Sequence, residues 1–151
     1  MANGPRIAAR ALIQQQGCVL VSTYDTVDGV VHALPGGGQR RGETLDESLV
    51  REIHEEAGLD ITVGRMRWIR EFIPARLPVS SFDPSFHQVE IIFECTAHGD
   101  AEPRLGAAPD PGQVGVGWLP VHDLVNAPFF PQEIARILNG QASDRTYLGD
   151  T

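Results

Sequence analysis

Cysteine is scarce in this chain, with only Cys18 and Cys95 among 151 residues. Two cysteines cannot build a zinc site by themselves. Each sits in an apolar, strand-like run, so both are expected as buried free thiols, a state that suits a reducing compartment. Nowhere does the chain approach the roughly 18 continuous apolar residues of a membrane span, and residues 1–10 lack the apolar stretch of a signal peptide. Basic residues are in deficit, 12 Lys+Arg against 20 Asp+Glu, for a formal net charge of −8. That deficit argues against nucleic acid or an anionic membrane surface as a partner. It leaves a nucleotide open, because a bound cation inverts the local charge. There is no internal repeat, linker or composition boundary. These absences point to a cytoplasmic protein of one domain spanning 1–151, a length sufficient for one core and too short for two.

What is present reads as an α+β pattern. Apolar runs at residues 6–14 and 18–24 predict two strands joined by a turn at 14–17, and a short strand follows at 30–34. Residues 61–72 carry enough alternation for one or two strands. The clearest strand is 87–97, where Val89, Ile91, Phe93 and Cys95 alternate with Gln88, Glu90, Ile92 and Glu94. Residues 74–86 and 98–113 read as long irregular loops, and long ordered loops tend to be functional. A further strand is expected at 114–120 and one helical turn at 121–125. Residues 131–139 predict a closing helix with proline in its first turn and Gly140 past its end. The polar stretch 141–151 is expected to fray.

The informative stretch runs from a glycine-rich turn, Leu34-Pro35-Gly36-Gly37-Gly38, into a helix beginning after Thr44. Thr44 and Glu47 have the spacing of a capping box, and Gly58 stands where a helix closes through a left-handed residue. Helical periodicity places Leu49, Val50, Ile53 and Ala57 on one apolar face. Glu52, Glu55 and Glu56 gather beside it within an arc of roughly 100°. Carboxylates so close repel one another, and a hard divalent cation bound through oxygen offsets that repulsion.

From Gly37, five residues lead to Glu43 and seven more to Arg51-Glu52. Ile53, Glu55-Glu56, Gly58 and Leu59 complete a pattern of nine constrained positions. This spacing matches the Nudix box throughout residues 37–59, and the chain resembles the Nudix hydrolase family. The resemblance implies the Nudix fold, an α/β/α sandwich around a mixed sheet. It implies metal-dependent hydrolysis of a phosphoanhydride bond in a nucleoside diphosphate linked to another moiety, with a small-molecule nucleotide as partner. A catalytically silent nucleotide-binding or sensor module is the competing reading. The cofactor implied is Mg2+, with Mn2+ as a substitute, and frequent pairing among relatives leaves a homodimer open.

Residue by residue, the resemblance assigns metal ligation to Glu52, Glu55, Glu56 and the carbonyl of Gly36. Glu52 is the first choice of general base, with Glu90, Glu102 and Asp110 as candidates outside the box. Arg51 and Glu43 are implied to bridge loop and helix. Gln113 stands where many relatives carry an extra acidic ligand, and His32 where many carry tryptophan. Arg10, Arg70 and Arg76 are the arginines proposed to meet phosphates, since a guanidinium suits bidentate phosphate contacts.

Overall fold

In a computed structural model of the chain, residues 4–78, 82–100 and 102–151 are described. Among these residues nine strands form one mixed sheet: β1 (Arg6–Gln15), β2 (Cys18–Thr26), β3 (Gly29–Ala33), β4 (Gly36–Gly38), β5 (Ile61–Phe72), β6 (Gln88–Ala97), β7 (Gln113–Pro120), β8 (Phe129–Phe130) and β9 (Tyr147–Asp150). Helices α1 (Leu45–Ala57) and α2 (Gln132–Leu138) complete the fold. The strand order is β8-β3-β2-β1-β6-β5-β9, with β4 added to β1 and β7 added to β2. Gln16 and Gly17, both at positive φ, make the β1–β2 turn, the conformation that matches the twist of a tight hairpin.

Strand β1 sorts its side chains by alternation. Ala9, Ala11 and Ile13 face α1, packing with Leu49, Ile53, Ala57, Phe93 and Cys95. Leu12 points the other way, into a second core with Ile92, Trp68, Ile134 and Leu148. Helix α1 therefore covers one face and α2 the other, which is the α/β/α sandwich. Beside β1, the parallel strand β6 sets Ala8 against Glu90 and Arg10 against Ile92.

Several expectations need correction. The tail does not fray along its whole length: residues 147–150 form β9, paired in parallel with β5. The glycine-rich segment is a strand, not a turn, and pairs with β1. Val50 is 40% exposed, while Ser48 and Glu56 are fully buried on α1. Cys95 is buried as a free thiol, with burial raising its pKa to about 12, whereas the free Cys18 is only partly covered. Of the expected loop at 74–86, residues 79–81 lie outside the described residues, and 74–76 form a 3-10 turn.

Candidate active site

Helix α1 is fixed at both ends, and this sets the angular position of its acids. Thr44 Oγ1 accepts from the Glu47 backbone N–H at 3.2 Å and donates to Glu47 Oε1 at 3.1 Å. Gly58 closes the helix at φ 66°, its N–H donating to the His54 carbonyl. Strand β4 then passes against the helix with no side chains between. A Cβ on Gly37 would lie 2.6 Å from the Glu52 carboxylate, and one on Gly36 would lie 2.1 Å from the Ala9 carbonyl oxygen. Gly36 also sits at φ 144°, a conformation open to glycine alone.

Two of the three box acids converge here, and the third partner comes from elsewhere. Carboxylate oxygens of Glu52, Glu56 and Asp110 lie within 4.8 Å of one another. Glu56 is fully buried. Its Oε2 accepts from the Gly36 N–H at 3.1 Å, while Oε1 has no partner. Burial, followed by the neighbouring Asp110, pushes its pKa up to about 9. A buried carboxylate oxygen without a donor is costly, and a cation coordinated by the three acids would relieve it. The donor set, all hard oxygen, fits Mg2+ or Mn2+.

Asp110 reaches the cluster because residues 102–112 are laid across α1. Arg104 N–H donates to the Ala57 carbonyl at 3.0 Å and Gly106 N–H to the Glu56 carbonyl at 3.1 Å. A Cβ at position 106 would lie 1.8 Å from the Glu55 carbonyl oxygen, so only glycine allows this approach. Gln113 anchors the far end of the loop. Its Oε1 accepts from the Asp110 N–H at 3.2 Å, and its amide donates to the Glu56 carbonyl and Ser22 Oγ, each at 3.4 Å. Gln113 is thus buried as a brace, and the acid stands three residues before it. The Asp110-Pro111-Gly112 turn ahead of β7 was the signal available in the sequence, but its distance from the box gave no reason to prefer it.

Arg51 ties loop and helix together. Its Nε and Nη2 grip Glu43 at 2.5 and 3.0 Å, Nη2 reaches the Gly38 carbonyl at 3.2 Å, and Nη1 donates to Glu52 at 2.8 Å and Glu55 at 3.2 Å. The hydrogen bond from Arg51, helped by the Arg40 N–H, holds the Glu43 carboxyl down at about 2. Glu55 stands outside the three-acid cluster, committed to Arg51 and, at 3.8 Å, to Arg40.

The arginines expected to meet phosphates are mostly engaged. Arg10 donates to the Gly36 carbonyl at 2.9 Å and to Glu90 at 3.3 Å. Arg70 donates to Glu90 at 2.6 Å and also to the Thr151 carbonyl. Burial opposes ionisation of Glu90, but these two guanidinium groups outweigh it and hold its pKa at about 2. Glu90 is therefore a structural anion. Arg76 is exposed and pairs with Asp150 at 3.3 Å, and Glu102 is exposed on the loop. His32 is half-buried and shares a 2.9 Å hydrogen bond with Thr23, and burial lowers its pKa.

Fold and site together define a sheet-and-helix sandwich with an acidic oxygen site at the glycine strand. Comparison with known proteins identifies the class: the NUDIX domain family model matches residues 4–139, and the chain belongs to that family. It is 34% identical over 89 residues to the nucleoside triphosphatase NudI of Enterobacter sp. (strain 638), a match spanning 56% of this chain and 63% of that protein. The fold resembles an ADP-ribose pyrophosphatase from Streptococcus suis 89-1591 with a TM-score of 0.63 at 22% identity, covering 97% of this chain and 98% of that one. It also resembles a MutT NUDIX hydrolase from Burkholderia pseudomallei with a TM-score of 0.64 at 24% identity, covering 92% and 99%. No helix among the described residues is long and apolar enough to cross a membrane.

Proposed function

We propose that this protein hydrolyses a phosphoanhydride bond in a nucleoside diphosphate linked to another moiety, using a divalent cation, Mg2+ or Mn2+. The observation that carries the reading is the unpaired Oε1 of fully buried Glu56 within a cluster of three acids. A cluster serving only the fold would have its charges met by protein donors. Glu52, Glu56 and Asp110 are the proposed ligands, with the Gly36 carbonyl as a further donor by family resemblance. When bound, the ion supplies Lewis acidity toward a phosphoryl oxygen and water.

The chain's own residues supply the geometry. Arg51 holds Glu52 and Glu43 together across the loop, so the acids enter the reaction already positioned. Glu52 faces the bare backbone of Gly37 and is the proposed acceptor of the proton from the attacking water. Both a nucleoside triphosphate and a nucleoside-diphosphate sugar fit this chemistry. The sequence relation to a protein named nucleoside triphosphatase favours the former.

The test is a panel of nucleoside triphosphates, nucleoside-diphosphate sugars and dinucleotides, incubated with and without Mg2+ or Mn2+. Products are resolved by chromatography, and solvent enriched in heavy oxygen marks the attacked phosphorus. Metal-dependent release of a nucleotide or pyrophosphate is expected. Absence of turnover across the panel, with nucleotides still bound, would replace this reading with that of a binding module.

A further inference from the structure

Asp110 reaches the acid cluster through an irregularity in strand pairing. Between β2 and β7 the register shifts: Thr23 stands opposite Gly115 and Tyr24 opposite Gln113, so Val114 has no partner of its own. Val116 and Trp118 pack on the α1 side of the sheet. Strict alternation would put Val114 on that side too and turn Gln113 away from it. The bulge at Val114, which is 57% exposed, instead returns Gln113 to the α1 side, where its amide reaches Ser22 Oγ and the Glu56 carbonyl. Bulges beside functional sites re-aim side chains in this way.

Tyr24 shares that side. It lies two residues beyond Ser22 on β2, and alternation carries its ring to the same face. Its backbone is held from both edges, by Val31 of β3 and Gln113 of β7, and the residue is half-buried. From this fixed base the Tyr24 hydroxyl donates to Asp110 Oδ2 at 3.5 Å. Among the described residues no other side chain outside the acid cluster donates to the Asp110 carboxylate. The remaining supports act on the main chain around it: Gln113 Oε1 accepts the Asp110 N–H at 3.2 Å, and the Asp25 N–H donates to the Gly112 carbonyl at 3.0 Å. Those bonds place the loop but leave the choice of Asp110 rotamer open. The phenol is the group that acts on the carboxylate itself.

We propose that Tyr24 is a positioning residue of the acid site: its hydroxyl, carried by a strand paired on both edges, holds the Asp110 carboxylate where it joins Glu52 and Glu56. Carboxylates that ligate metals are themselves hydrogen-bonded, and those partners set metal affinity. A phenol suits the task, since it gives one proton to a carboxylate and brings no positive charge to compete with a cation. An arginine or lysine there would neutralise the acid instead. This assignment deepens the proposed function and rests on it for the cation, and it adds to the site a residue from β2, outside residues 37–59.

The experiment is calorimetric titration of wild type, Tyr24→Phe, Asp110→Ala and the double variant with Mn2+. Phenylalanine keeps the ring and removes only the hydroxyl, so Tyr24→Phe is expected at unchanged Tm. It should bind Mn2+ about tenfold more weakly, within the range for partners that orient metal ligands. In the Asp110→Ala background the same change should cost less than about twofold, because the hydroxyl has no carboxylate left to hold. With a nucleotide that wild type hydrolyses, Tyr24→Phe should need more Mn2+ for half-maximal rate and reach the wild-type kcat once the metal saturates. Mn2+ affinity of Tyr24→Phe within about twofold of wild type would overturn the proposal, as would an equal loss in both backgrounds. If wild type binds Mn2+ but turns over no nucleotide, the hydrolytic reading fails while the Tyr24 assignment is still decided by the binding ratios. If wild type binds no Mn2+, both are overturned.

Discussion

Glu56 and Glu90 are the same side chain at nearly the same depth, 0% and 6% exposed, yet they lie at opposite ends of the carboxylate range. Glu90 is met by Arg10, Arg70 and the amide of Gln88, and its pKa falls to about 2. Glu56 is met by one backbone N–H and faces another acid, and its pKa rises to about 9. Where the protein supplies its own cations, a buried charge is part of the framework. Where it withholds them and adds further acids, a buried carboxyl oxygen is left unmet, and the proposed metal site rests on that oxygen.

The comparison is broken most severely at Glu56 itself. Replacing it by glutamine keeps the shape and removes the charge, and hydrolysis is expected to fall at least about a thousandfold, since a Lewis acid contributes several kcal/mol to such reactions. Steady-state kinetics with saturating Mg2+ measures this, alongside a circular dichroism check that the fold is retained. The mirror experiment is Glu90→Gln, which strands two buried guanidinium groups. Stability should drop by about 3–5 kcal/mol, the cost of breaking a buried pair, as read by urea denaturation. Mn2+ affinity of the folded variant should stay near that of wild type.

Asp110→Asn sharpens the picture by leaving both glutamates in place. Metal affinity should fall by about 10- to 100-fold, as when one charged oxygen is lost from a hard-cation site. Calorimetry with Mn2+ reads this directly, and an unchanged affinity would remove Asp110 from the site.

A fourth outcome concerns pH in metal-free protein. The folded pKa of Glu56 lies above its unfolded value, so the folded state holds the extra proton between about 4.5 and about 9. The stability tied to that proton is fully present below the unfolded pKa and declines as pH rises through this window. Glu56→Gln should abolish the decline. At pH 8 without metal the variant should melt at least about 2–4 °C above wild type, the shift that 1 kcal/mol produces in a chain of this size, and near pH 4 the two should converge. Added Mg2+ should stabilise wild type only.

Legibility in the sequence followed the range of the forces involved. The caps Thr44 and Gly58, the alternation along β6 and the spacing of Glu52 and Glu56 are local signals, and the structure shows those elements where periodicity placed them. Strand β9 was missed because Tyr147–Asp150 is short and polar at its ends; parallel pairing with β5 forms it. Strand β4 was missed because glycine has little strand preference, and only its fit against β1 and Glu52 explains three in a row. Val50 satisfied the helical stripe, but it stays 40% exposed at the edge of that face. Asp110 was visible as an acid, yet its arrival at Glu56 depends on Gly106 and Gln113 bracing a loop from more than 40 residues away.

Glu55 gives the smallest expected effect. Glutamate spacing on the helix groups it with Glu52 and Glu56, while the structure pairs it with Arg51. Glu55→Gln should therefore lower turnover only about tenfold, an effect transmitted through Arg51 as for other residues that orient ligands. A loss equal to that of Glu56→Gln, in the same kinetic assay, would place Glu55 among the ligands.

The most direct test of the account is a crystal structure of the protein grown with Mn2+ and recorded at the manganese absorption edge. An anomalous peak within coordination distance of Glu52, Glu56 and Asp110, with Glu90 still locked between Arg10 and Arg70, is the predicted result. A manganese-saturated crystal with no peak at those three acids, or with the metal bound at Glu90, would contradict it.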